Sequence, residues 1–168
     1  MDAANCANAY QAIVDTTLLR DADVIVLAMF WWPQNLTDAA AFVADLRQRT
    51  KADIRVAGPK ALSRNSIEIV NALGTFSGAN EIAAGDISDL SKTASAALKG
   101  MFPDTYVDLL ASICPGGRLC YVVTDTNEAV FWDQTHLTAA GAGFLAVNGL
   151  QTALAFLDAQ DATGNNLR

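Results

Sequence analysis

Apolar positions along the chain fall into short unbroken runs and longer runs at helical spacing, and their alternation predicts an α/β fold. Residues 24–30 are continuously apolar over a strand's length, the pattern of a strand covered on both faces as in a parallel sheet. Asp21-Ala22-Asp23 turns the chain into that run, and Trp31-Trp32-Pro33 ends it. Residues 54–59 predict a second strand stopped by Gly58-Pro59, and residues 106–110 a short strand running into a helical turn. Between and around them lie helical patterns. Residues 8–19 space Ala9, Ala12, Ile13, Thr16 and Leu19 on one face. Thr37 offers an N-cap oxygen to a helix with Asp38 in its first turn and Ala41, Phe42 and Leu46 inward. Residues 66–73 and 88–101 read as helices, the second ended by Pro103, with residues 74–80 as loop between them. Residues 120–123 and 129–132 read as two strands joined by the polar turn at Asp125-Thr126-Asn127. Residues 138–158 read as one long closing helix, and residues 159–168 as a polar tail.

Strands alternating with helices pair in parallel through crossovers, which gives a three-layer α/β/α sandwich with a mainly parallel sheet. In such folds reactive groups gather at the carboxyl ends of the strands. Residues 31–35 and 133–136 both leave strand ends and are expected to meet there.

Charge and cysteine usage narrow the chemistry. A net charge of −7 argues against a nucleic-acid surface, which needs clustered Lys and Arg. Mean hydropathy is +0.22, yet the least charged runs are too short or too rich in Ala and Gly to read as membrane spans. The first residues lack the basic-then-apolar pattern of a signal peptide. Of the three cysteines, Cys114 and Cys120 bracket a tight Pro-Gly-Gly loop, whose spacing suits a disulfide or two half-buried thiols equally. With one histidine and no Cys-x-x-Cys pair, a metal site is not expected.

That one histidine, His136, follows Asp133 by three residues on a segment between a strand-like run and a helix. Histidine is the side chain most readily tuned for proton transfer near neutral pH, and an aspartate on its Nδ1 holds one tautomer. A capping aspartate and a structural histidine is the plainer reading of the same residues. Thr138, however, caps the last helix by itself.

Three segments together resemble the SGNH (GDSL-type) hydrolase superfamily, above all the SGNH domain joined to the C-terminus of bacterial membrane O-acyltransferases. They are residues 22–28 running into Trp31, residues 106–110 running into Cys114-Pro115 and Cys120, and Phe131-Trp132-Asp133-Gln134-Thr135-His136-Leu137-Thr138 with the small-residue helix after it. The resemblance implies a flavodoxin-like sandwich. It implies Asp133 as the acid and His136 as the general base of a Ser-His-Asp triad. Trp31 would line the pocket where relatives place an oxyanion-hole Asn, with Asn35 as a substitute donor. Cys114 and Cys120 would form a disulfide suited to a periplasmic domain. The partners implied are an acyl donor and a carbohydrate acceptor, with a membrane acyltransferase domain upstream and no cofactor.

One departure bears on activity. The family's nucleophile is the serine of a Gly-Asp-Ser block that precedes every matched segment, and this chain contains no Gly-Asp-Ser. Gly85-Asp86-Ile87-Ser88 has an extra residue, follows no strand, and reads as a helix start capped by Asp86 or Ser88. Ser63, Ser66 and Ser112 have less context still. The expectation is an SGNH-like domain over residues 1–158 that lacks its first strand, with an unpaired edge prone to dimerise. A non-catalytic binding or partner domain with the same fold is the alternative. A redox pair at Cys114 and Cys120 is a third reading, without any recognised redox motif behind it.

Overall fold

The computed structural model describes Leu19 and residues 21–29, 31–32, 34 and 36–157, the side chain of Thr152 excepted. The expected helix at residues 8–19, apart from Leu19, lies outside the described residues, as do Cys6, the candidate donor Asn35 and the polar tail.

Three parallel strands form the sheet in the order β1 (Val24–Ala28), β2 (Asp53–Ala57), β3 (Tyr106–Val107). Val24 pairs with Asp53 and Ala28 with Ala57, while Val56 pairs with Tyr106. Helices flank the sheet on both sides, as the alternating pattern predicts. The central strand is the driest, with Val56 fully buried. β1 departs from the expectation of burial on both faces, because Val26 is 44% exposed. Its only strand neighbour among the described residues is β2, so it carries the environment of an edge.

Helix α1 (Leu36–Arg49) buries Leu36, Ala39, Val43 and Leu46, a stripe at helical spacing against the sheet. Ala41, expected inward, is exposed because it lies about 200° round the helix from Ala39. Thr37 likewise falls inside the helix instead of capping it. Asp38 in the first turn and Arg47 and Arg49 in the last complement the helix dipole. Helix α2 (Ser66–Leu73) is closed by a capping box, Asn65 Oδ1 accepting from the Glu68 amide and the Glu68 carboxylate from the Asn65 amide. Gly74 ends it in the left-handed conformation, φ 68°.

The stretch expected as loop contains a further helix, α3 (Ala79–Ala83), entered through Gly78 at φ 76°. Helix α4 (Asp89–Met101) is capped by Ser88, whose Oγ accepts from the Ser91 amide. Helix α5 (Leu109–Ile113) follows β3 directly, with Asp108 as its cap.

Residues 120–132 are not the pair of strands that their apolar content suggests. Two single bridges remain, Val123 to Ala129 and Phe131 to Leu137. The reason is local competition for backbone groups: the Asn80 side chain accepts from the Val122 and Val123 amides and donates to the Val123 carbonyl. The expected long closing helix is also divided, into α6 (Ala139–Asn148) and α7 (Leu150–Ala153). The break falls at Gly149, where a Cβ would come within 2.5 Å of the Ser112 carbonyl oxygen.

Two apolar clusters hold these layers. One joins the sheet to α1 and α4 through Val43, Leu46, Val56 and Leu98. The other packs α2, α3, α5 and α6 on the irregular segment through Ile69, Ile113, Val122, Phe131 and Leu145. No helix among the described residues is long and apolar enough to cross a membrane.

Candidate active site

The segment from Phe131 to Thr138 is a tight loop whose shape is set by one carboxylate. Asp133 Oδ1 accepts from the backbone amides of Thr135 and His136, each at 2.7 Å, and from the Thr135 hydroxyl at 3.2 Å. An aspartate that bonds the backbone two and three residues ahead makes a turn by itself. The other oxygen, Oδ2, lies 2.7 Å from His136 Nδ1. One side chain therefore both builds the turn and grips the imidazole. The His136 amide holds the Asp133 carboxyl well below the usual carboxylate range, assisted by the Thr135 amide and then by the imidazole.

A carboxylate only accepts, so Nδ1 is the donor in this pair, and in the neutral imidazole that leaves Nε2 as the acceptor. The Thr135 hydroxyl also lies 3.1 Å from Nδ1, but the shorter contact to a charged acceptor dominates.

The loop is fixed at both ends. Trp132 N donates to the His136 carbonyl, and the buried Ser66 Oγ accepts from the Phe131 amide. Thr138 caps α6 through the Gly141 amide while its hydroxyl donates to the Ala129 carbonyl. Neighbouring segment 60–63 ties down the middle: Leu62 N donates to the Gln134 carbonyl, Gln134 Nε2 to the Ser63 carbonyl, and Lys60 Nζ to the Thr135 carbonyl.

His136 opens on a cleft of about 420 Å³ at the carboxyl ends of β1 and β2, lined also by Met29, Trp31, Gly58, Lys60 and Thr135. This is the meeting expected of residues 31–35 and 133–136, as far as the described residues reach. Trp31 is only 3% exposed, and its indole N–H donates to the Ala57 carbonyl at 2.7 Å. It is a packed core residue and a cleft wall at once. A larger cleft of about 570 Å³ lies elsewhere, between Arg55, Tyr106, Asp108 and Phe156, and holds no histidine. The smaller one has the chemistry.

Among the described residues no serine hydroxyl is hydrogen-bonded to His136. Ser88 is engaged as a helix cap, as its sequence context predicts, and Asp86 pairs with Arg64 at 2.7 Å. Ser91 reaches the cleft wall but donates to the Ala61 carbonyl, and Ser112 Oγ donates to the Asp108 carbonyl. Cys114 and Cys120 are joined by a disulfide, both nearly inaccessible to solvent. No group of three His, Cys, Asp or Glu side chains among the described residues is placed to hold a metal ion.

Two residues near His136, one lining the cleft and one beside the ring, were not singled out by motif reading. Lys60 directly follows Gly58-Pro59, and its place just past the end of a strand was the available signal. Trp132 is 65% exposed, with its ring centroid 6.1 Å from that of His136. Its position next to the buried Phe131 in an extended segment was enough to turn it outward.

An α/β sandwich with an Asp-oriented histidine beside a cleft at its strand ends belongs among the hydrolase-type α/β domains. The model of the family described as SGNH domain (fused to AT3 domains) matches residues 1–147, and the chain belongs to that family. No curated protein and no solved structure is similar enough to the chain to count as a match.

Proposed function

We propose that this domain serves acyl transfer or acyl-ester hydrolysis on cell-surface carbohydrate, with His136 as general base and Asp133 as its orienting acid. The observation that carries the reading is the 2.7 Å contact between Asp133 Oδ2 and His136 Nδ1 at the edge of the cleft. His136 Nε2 takes the proton of a serine hydroxyl as that oxygen attacks the acyl donor. The imidazolium returns the proton to the leaving group, and an acyl-serine remains. A sugar hydroxyl, or water, then loses its proton to His136 and attacks the acyl carbon, and the imidazolium hands that proton to the departing serine oxygen, which restores the serine hydroxyl. The two half-reactions are complete without a metal or an organic cofactor.

The serine is the part this sequence does not supply in the family's form, since it contains no Gly-Asp-Ser. In the reading proposed, the nucleophile comes from outside these residues, and the membrane acyltransferase domain joined to such domains is the functional partner. The buried Cys114–Cys120 disulfide supports an extracytoplasmic setting, where such bonds persist. The exposed indole of Trp132 beside His136 supports a sugar acceptor, because it offers a flat apolar face next to the base. The missing Gly-Asp-Ser also favours a second reading, a domain that binds carbohydrate or partner without turnover.

Fluorophosphonate labelling of the chain followed by intact mass, with His136→Ala as control, tests the assignment. No adduct is expected. A single adduct that disappears in His136→Ala would place the nucleophile within these residues. In the polypeptide as the cell makes it, His136→Ala should cut acyl transfer by roughly 10³-fold or more. Transfer that survives the substitution removes His136 from the chemistry and leaves the binding reading.

A further inference from the structure

We infer that the cleft beside His136 takes a carbohydrate bearing an anionic group, a carboxylate or a phosphate, with the Lys60 ammonium as its counter-charge. The inference deepens the reading above and rests on the cleft receiving carbohydrate. Among the described residues that line the cleft, Lys60 carries the one fixed charge and none is a carboxylate. The wall around it is neutral: Met29 and Trp31 come from beyond β1, Leu90 and Ser91 from α4, and Leu109 from α5. In a chain of net charge −7, the cleft is therefore a local reversal of sign.

Lys60 is also the cation that the fold leaves without a counter-ion. Of the described cations, Arg55, Lys60 and Arg64 are half-buried. Arg55 faces Asp53 at 2.6 Å and Arg64 faces Asp86 at 2.7 Å. Lys60 makes no ion pair among the described residues, and its Nζ donates to the neutral Thr135 carbonyl. The field of Asp133 reaches it, but Oδ1 of that carboxylate is engaged by the Thr135 and His136 amides and Oδ2 by the imidazole. Burial lowers the Lys60 pKa, the mark of an ammonium that has lost part of its hydration. A half-buried charge without a counter-ion is costly, and an ammonium with one bond made has two N–H donors left. An anion entering the cleft supplies the missing partner. The exposed Trp132 indole beside His136 offers a sugar ring its flat face. The larger cleft has no such cation: its Arg55 is held by Asp53, and its Asp108 faces Lys99 at 3.6 Å.

The test is binding of three probes to the chain, followed by NMR: a uronic-acid oligosaccharide, its carboxyl-reduced neutral form, and a hexose phosphate. The parent should bind the uronic acid or the phosphate about tenfold more tightly than the neutral form, and which of the two binds separates carboxylate from phosphate. Lys60 side-chain signals that move with the anionic probe alone locate the contact without any substitution. Lys60→Gln keeps a donor for the Thr135 carbonyl without the charge, so it should lose the preference and keep the affinity for the neutral sugar. Lys60→Arg retains the charge and should retain the preference. Equal binding of acidic and neutral forms overturns the inference and leaves the carbohydrate reading standing. A preference that survives in folded Lys60→Gln, or Lys60 signals that stay still, also overturns it. No binding of any probe removes it together with the carbohydrate reading on which it rests. Binding needs no turnover, so the outcome for His136→Ala in acyl transfer bears on the base and leaves this result untouched.

Discussion

Replacing Asn80 by alanine strips the irregular segment before the Asp133–His136 loop of its main side-chain support. The Asn80 Oδ1 accepts from the Val122 and Val123 amides at 2.9 Å each, and its Nδ2 donates to the Val123 carbonyl at 3.1 Å. Val122 and Val123 are both buried, so water reaches their backbone poorly. At about 1 kcal/mol net for each bond, the loss sums to about 3 kcal/mol. Alanine returns about 0.5 kcal/mol as the better helix former within α3, leaving roughly 2–3 kcal/mol. For a chain of this size that lowers the melting temperature by roughly 5–10 °C. Thermal and urea unfolding followed by circular dichroism measure it directly. Asn80→Asp keeps the acceptor and loses the donor, so it should fall between the parent and alanine. A melting temperature within about 2 °C of the parent in Asn80→Ala would refute the reasoning, because the segment would then be held by packing alone.

Acid behaviour follows from Asp133. Its folded-state pKa is depressed, so its contribution to stability is present above the unfolded value and is lost as pH falls from there toward the folded value. The stability gap between parent and Asp133→Asn should therefore narrow steadily below about pH 4, which urea unfolding at stepped pH reads. Gly141→Ala should destabilise by about 2 kcal/mol or more, because its Cβ would lie 2.2 Å from the Val130 carbonyl oxygen and backbone has nowhere to yield; chemical denaturation measures it. Trp132→Ala should leave the melting temperature unchanged while raising KM for a carbohydrate acceptor about tenfold, a separation that steady-state acyl-transfer kinetics resolves.

What was legible in the chain was what local chemistry decides. The apolar runs gave β1 and β2, and the capped helix α2 lies where its pattern places it, between Asn65 and Gly74. The Asp-x-x-His block was legible because an aspartate can build its turn from amides two and three residues away. What was hidden depends on partners distant in sequence. Residues 120–123 look like a strand, but Asn80 takes the backbone groups that a strand neighbour would use. The closing helix breaks at Gly149 because Ser112 approaches it, which no helical periodicity records. Lys60 enters the site across a separation of 75 residues, visible only once β2 and the loop are folded together. Val26 is exposed because of its place in the sheet, which an apolar run does not specify.

The account stands most directly on the protonation of one ring. Nitrogen-15 NMR of the His136 imidazole above its titration midpoint, in the parent and in Asp133→Asn, reports which nitrogen holds the proton. The account predicts a neutral ring protonated on Nδ1, with the bonded Nδ1 proton signal lost or strongly shifted in Asp133→Asn. A ring protonated on Nε2 in the folded parent would contradict it, since the nitrogen meant to take the serine's proton would already be carrying one.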